Sequence, residues 1–227
     1  MSRESHFKQE LFSQFARVGK ALGNGNRLEL LEFLAQGERS VESMAKASGL
    51  TIANTSQHLQ HLRQAGLVAT RKEGQHVYYR LTGEDGVQLM ACLRRVAETH
   101  VAEVERLVNA FLTVKDNLEP LPADELLSRA RDGLITVIDV RPPEEFAAGH
   151  LPGALNIPLS QLEEHLADLP KNTEVVAYCR GPYCVLAYEA VARLRQDGYR
   201  ARRLQDGYPE WKQAGLPVET GVGAEKE

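Results

Sequence analysis

The stretch TIANTSQHLQHLRQAGLVATRKEGQHVYYRL (51–81) changes period midway, and that change decides how the first half of the chain folds. Up to Ala65 the apolar residues Ile52, Leu59, Leu62 and Ala65 share one helical face, with Thr51 placed to cap the helix and Gly66 to close it. From Leu67 to Leu81 the pattern becomes strand-like around Glu73-Gly74, which predicts a hairpin. Working back towards the N-terminus, Ser40 can cap a short helix over 41–48 that ends at Gly49. Leu28, Leu31 and Leu34 mark a helix ending at Gly37, and Phe7, Leu11, Phe15, Val18 and Leu22 mark another, with Gly23-Asn24-Gly25-Asn26 breaking the pattern between them.

Two short helices joined by a glycine-containing turn and followed by a hairpin predict a winged helix-turn-helix. The 51–65 helix would then enter a DNA major groove. Its polar residues Thr55, Ser56, Gln57, His58 and His61 are the expected contacts to base edges or phosphates. Arg71, Lys72, Gln75 and His76 on the wing would reach the backbone or a minor groove. Beyond the hairpin, Thr82-Gly-Glu-Asp85 resembles a capping box that opens a long helix. Met90, Leu93, Ala97, His100, Val104, Leu107, Phe111 and Val114 follow at alternating spacings of three and four, an a/d seam that predicts pairing of two chains.

The segment NTSQHLQHLRQAGLVATRKEGQHVYYRL (54–81) resembles the ArsR family of bacterial repressors, and the likeness extends over about residues 8–110. The resemblance implies a homodimer, paired through its first and last helices, on a double-stranded operator with an inverted repeat. Many members of that family sense metals through paired cysteines on the helix before the recognition helix. Here that helix reads SVESMAKASG, without cysteine or histidine, so thiolate ligation is excluded there and no metal site is expected. Cys92 is expected to be a small buried residue, and His100 a core or interface histidine.

Two prolines in DNLEPLPA (116–123) mark a boundary between domains 1–117 and 118–227, the latter with a core at 121–219. Past it, strand-like runs at 136–140, 154–158, 174–179 and 201–204 alternate with helical stretches at 122–131, 144–148, 160–168 and 184–197. That alternation predicts an α/β domain with a largely parallel sheet. Within it, VVAYCRGPYCVLAYEAVARL (175–194) runs from a strand through Cys179 and a short loop into a helix that begins near Cys184. Loop amides and a helix N-terminus both favour negative charge, so a thiol at Cys179 would ionise readily and act as a nucleophile. Arg180 adds a positive charge beside it, and Gly181, Pro182, Tyr183, Cys184 and Val185 complete the expected anion-binding loop.

DVRPPEEFAAGHLPGALNIP (139–158) and LQDGYPEWKQAGLPVE (204–219), with Trp211 ahead of Gly215-Leu216-Pro217, resemble motifs of the rhodanese family in the family's order, across about 121–219. The resemblance implies sulfurtransferase chemistry, with sulfane sulfur carried as a persulfide on Cys179 and no other cofactor. Asp139, Arg141 and His150 read as scaffold rather than as substrate contacts. Two departures stand out: Cys184 occupies the place of the family's loop arginine, and its Gly-Gly pair becomes Asp206-Gly207. A related phosphatase or arsenate reductase would need an arginine at the position of Val185.

Charge is divided unevenly. Fifteen Lys and Arg against thirteen Asp and Glu in residues 1–117 give +2, and twelve against eighteen in the remainder give −6. The asymmetry suits a nucleic-acid-binding first half. Three cysteines, a polar N-terminus and no long apolar run place the chain in the cytoplasm, without a disulfide framework or membrane span. The expected function is an ArsR-type regulator tied to sulfur or reactive sulfur, with a sulfane-sulfur donor as its small-molecule partner and sulfurtransferase activity in the second domain. Cys184 is expected to be a resolving thiol that forms a disulfide with Cys179. The alternatives are a sulfurtransferase independent of regulation, an inactive ligand-binding module, and a metalloid-responsive repressor using Cys179 and Cys184.

Overall fold

A computed structural model of the chain describes residues 3–221; the C-terminal stretch GVGAEKE (221–227), whose composition predicts a tail without order, lies outside the described residues except for Gly221. The chain divides into two compact units, Met1–Cys92 and Leu93–Glu227. That division falls before the proline-marked boundary at 117/118, because residues 93–117 carry side chains that pack with the second unit: Leu112 is buried and Asp116 pairs with Arg195.

In the first unit, α1 (Arg3–Leu22) and α2 (Gly25–Ala35) precede the short strand β1 (Arg39–Ser40), α3 (Val41–Ser48) and α4 (Ile52–Gln64). Only Gly23 and Asn24 separate the first two helices, since Asn24 caps α2 by accepting from the Arg27 amide, and Gly25 and Asn26 are already helical. Ser40 and Thr51 cap α3 and α4 through the Ser43 and Asn54 amides, each at 3.2 Å, and Gly49 ends α3 in the left-handed region. The hairpin β2 (Val68–Glu73) and β3 (His76–Leu81) turns at Gly74, and β1 adds a third antiparallel strand to it. Leu30, Leu31, Phe33, Leu34, Met44, Leu59, Leu62 and Tyr79 fill the core.

Thr82 does not cap the next helix. Its hydroxyl donates to the carbonyls of Gly66 and Leu67, tying the hairpin's end to its beginning, and α5 (Asp85–His100) starts after it. Nor does the seam run along one helix. Val101 takes an extended conformation, so α5 ends at His100 and α6 (Ala102–Val108) starts anew, followed by a π-turn over Asn109–Thr113.

The second unit is a three-layer α/β structure. Helix α7 (Ala123–Arg131), β4 (Ile135–Asp139), α8 (Pro143–Ala148), β5 (Leu155–Asn156), α9 (Leu162–His165), β6 (Glu174–Tyr178), α10 (Val185–Gln196), β7 (Ala201–Arg203) and α11 (Tyr208–Gln213) follow in order. The four strands are all parallel, in the order β5-β4-β6-β7, as the sequence pattern predicts. Pleating sends alternate residues to opposite faces. Val175, Ala177 and Cys179 face α10 and its residues Ala190, Val191 and Leu194; Val176 and Tyr178 face Leu126, Phe146, Tyr208 and Trp211. Among the described residues, no helix is long and apolar enough to cross a membrane.

Candidate functional site

The cysteine loop lies at the C-terminal edge of the parallel sheet, where open α/β sheets hold their ligands. Strand β6 delivers Cys179, which is only 1% exposed, and Cys184 is the N-cap residue of α10. The two sulfurs are joined in a disulfide with their Cα atoms 6.1 Å apart, a separation that bridging tolerates without moving the backbone. Arg180, Gly181, Pro182 and Tyr183 span the interval. Within it the Cys184 amide donates to the Gly181 carbonyl at 3.1 Å, and the Tyr188 hydroxyl of α10 donates to the Pro182 carbonyl at 3.1 Å. Val185 opens α10 and is exposed.

Gly207 presses on this loop from the segment after β7. A Cβ there would stand 2.3 Å from the Gly181 nitrogen and 2.4 Å from the Arg180 carbonyl carbon, so any side chain would push the loop away. The next residue, Tyr208, donates its amide to the Cys179 carbonyl at 3.1 Å. The Asp206-Gly207 departure therefore keeps the one glycine that this approach demands. Burial and the neighbouring Glu210 raise the Asp206 carboxyl above its ordinary range, against Arg94.

Arg180 differs from its expected role. Its guanidinium grips the Glu145 carboxylate in a bidentate pair, at 2.6 Å and 3.0 Å, and Glu145 is buried. A buried carboxylate demands a cation, so the charge expected beside Cys179 is neutralised by α8. Asp139 and Arg141 form a fully buried pair at 2.5 Å. Arg141 also donates to the Gly149 carbonyl and lies between the Tyr178 and Tyr208 rings, at 5.5 and 4.5 Å. His150 stacks on Phe146 and shares a hydrogen bond with its carbonyl. All three are buried and engaged with neighbouring groups of the second unit.

In the first unit, α4 presents a different surface from the one expected. Thr55 is fully buried, its hydroxyl donating to the Thr51 carbonyl at 3.0 Å, and it cannot meet DNA. Ile52, expected inside, is 57% exposed, because as the first helical residue it overhangs the end of the core. Gln57 and His61 are exposed; Ser56 is half-buried and near Gln60. His58 is also half-buried, near Asn26, and burial followed by Arg27 and His61 lowers its pKa. The outward face therefore also includes Ala53, Asn54 and Gln60, which the sequence reading passed over. Thr55 lies four residues before Leu59 and seven before Leu62, spacing that marks an inward position; counting from those leucines would have found it.

On the wing, Lys72 and Gln75 are exposed, and His76 stands 3.7 Å from Glu42. Arg71 is exposed but engaged: it pairs with Glu38 at 2.7 Å and Glu73 at 2.5 Å, which raise its pKa, and lies over the Tyr78 ring. Cys92, expected to be buried, is exposed on α5, as is His100.

Comparison with known proteins accounts for both halves. Residues 122–214 match the rhodanese-like domain, and residues 24–70 match the bacterial regulatory proteins of the arsR family. The HTH-type transcriptional regulator Rv0324 of Mycobacterium tuberculosis is 47% identical over 222 residues, covering 98% of this chain and 97% of that protein. A sulfurtransferase of Allochromatium vinosum is 36% identical over 85 residues, 37% of this chain and 78% of that protein. Among solved structures, the homodimeric winged helix-turn-helix fragment of Mb0332 from Mycobacterium bovis is 48% identical and covers 44% of this chain and 94% of that one, with a TM-score of 0.41. The chain thus belongs to the HTH-type transcriptional regulators in which an arsR-type winged helix-turn-helix is followed by a rhodanese-like domain.

Proposed function

We propose that this regulator controls its operator in response to sulfane sulfur, received on Cys179 and resolved by Cys184. The observation that carries the reading is the Cys179–Cys184 bridge at the sheet's C-terminal edge, where a nucleophilic loop and a second thiol meet. The Cys179 thiolate takes the outer sulfur of a persulfide donor, RS–SH, and releases RS−. The Cys184 thiolate then attacks the Cys179 sulfur, forms the disulfide and expels the transferred sulfur as HS−. A cellular dithiol reductant would reopen the bridge.

The regulator acts as a homodimer in the cytoplasm on an inverted repeat, with half-sites about one helical turn apart. Exposed Phe7, Phe12 and Phe15 on α1, and exposed Leu93, Leu107 and Phe111 further along, support pairing through the first and last helices. The outward residues of α4 read the bases, and Lys72 and Gln75 on the wing meet the backbone.

The test is a gel shift with operator DNA and the full chain in reduced, donor-treated and bridged forms, alongside mass spectrometry. In a Cys184→Ala chain the donor should leave about 32 Da at Cys179, a further Cys179→Ser change should abolish that gain, and in wild type the donor should yield the bridge, with operator affinity differing between the reduced and bridged forms. Equal affinities in all three forms would leave a sulfurtransferase that merely shares the chain.

A further inference from the structure

The loop between the cysteines is held by residues that precede the rhodanese-like segment 122–214. Tyr183, immediately before Cys184, donates its hydroxyl to the Glu98 carboxylate of α5 at 2.6 Å. Arg94, one turn earlier on α5, stands 3.6 Å from Glu98 and pairs with Glu210 of α11 at 2.9 Å. The other Glu210 oxygen accepts the amide of Gly207 at 3.2 Å, and Gly207 abuts Gly181. These contacts close a ring from the loop through Tyr183, Glu98, Arg94, Glu210 and Gly207 back to the loop. Burial and Glu98 push the Tyr183 hydroxyl up to about 12, so it stays a donor across the physiological range.

Tyr183 and Cys184 are neighbours on a short span, so the position of one constrains the other. Cys179 is packed in a closed cluster with Cys184 against it. An added sulfur on Cys179 has no room there unless the Cys184 end gives way, since packed interiors resist extra volume. Opening the bridge must also part the two sulfurs from bonding distance, so the hydrogen bond that Tyr183 makes in the bridged loop would be strained in the opened one. By linkage, a contact made more strongly in one state stabilises that state, and the state stabilises the contact.

We infer that Glu98 of α5 is a positioning residue for the cysteine pair, acting through Tyr183 to favour the closed bridge. The inference rests on the proposed redox role of the pair.

The test is the equilibrium between bridge and thiols in the full-length protein, titrated against mixtures of reduced and oxidised glutathione without DNA or sulfur donor. Tyr183→Phe and Glu98→Leu, which remove the donor and the acceptor respectively, should each make the bridge about tenfold easier to open, a shift of about 30 mV. The double variant should show the same factor rather than its square, because both changes delete one interaction. The melting temperature of each reduced variant should match that of reduced wild type, which separates loss of the clamp from loss of the fold. A wild-type chain that bridges while both variants titrate within twofold of it would overturn this inference and leave the proposed function standing. Effects that multiply in the double variant would overturn it as well. A wild-type chain that never bridges across the whole range would overturn both.

Discussion

Single atoms decide which polar residues are available for recognition. Thr55 and Gln57 stand two positions apart on α4, yet one is sealed in the core and the other faces solvent. Thr55→Ala should lower stability by about 1 kcal/mol through its lost hydrogen bond, leaving operator preference unchanged. Asn54→Ala or Gln57→Ala should lower operator affinity by roughly 1–3 kcal/mol if each makes a good base contact, with little change in melting temperature. Denaturation and DNA titration of the three variants would check this; weakened sequence preference in a stably folded Thr55→Ala protein would contradict the assignment. The residue scale was also where sequence reading was most exposed to error. The type of Arg180 was legible as a charge beside a thiol, but its partner Glu145 lies thirty-five positions away, and no local pattern announces such a pairing. Cys184 was more legible, since a second thiol five positions on could reach the first across any tight loop.

Elements were easier to read, because periodicity and caps are written in neighbouring residues. Helices α3 and α4, the hairpin and the four parallel strands all follow from local spacing and from Ser40, Thr51, Gly49 and Gly74. What spacing could not reveal was where long-range partners interrupt it. Thr82 serves the hairpin's base rather than a helix start, β1 exists only because β3 lies beside it, and Val101 breaks a repeat that looks continuous as a sequence. Leu93, Leu107, Phe111 and Val114 of that repeat nevertheless remain exposed, whereas Met90, Ala97 and Val104 are partly covered. Leu107 is the exposed member on α6. Leu107→Glu should weaken self-association at least tenfold, since a buried unpaired carboxylate costs more than the roughly 1.4 kcal/mol that tenfold represents. Sedimentation equilibrium would measure it; an unchanged dissociation constant would remove α6 from the pairing surface.

Across the whole chain, the division at residues 92/93 follows packing in space rather than composition. Prolines announced a boundary at 117/118, yet Asp116 just ahead of it is buried against Arg195 at 2.8 Å and Arg203 at 3.3 Å, and accepts the Leu118 amide. Asp116→Ala should therefore destabilise the second unit by about 1–3 kcal/mol, since it strands two largely covered guanidinium groups. Chemical denaturation followed at Trp211, whose indole lies in that unit's core, would report it; an unshifted midpoint would make residues 93–117 a mere tether. The charge split of +2 and −6 was legible at once, and the pairing of Cys179 with Cys184 was legible from their spacing of five. The position of Cys92 gives that pair a counting standard. Cys92 is exposed and outside the bridge, so an alkylating reagent added to the unfolded chain finds one thiol when the loop is closed and three when it is open. Mass per chain would then divide a cell extract into closed and open populations, with the Cys92 adduct normalising every reading.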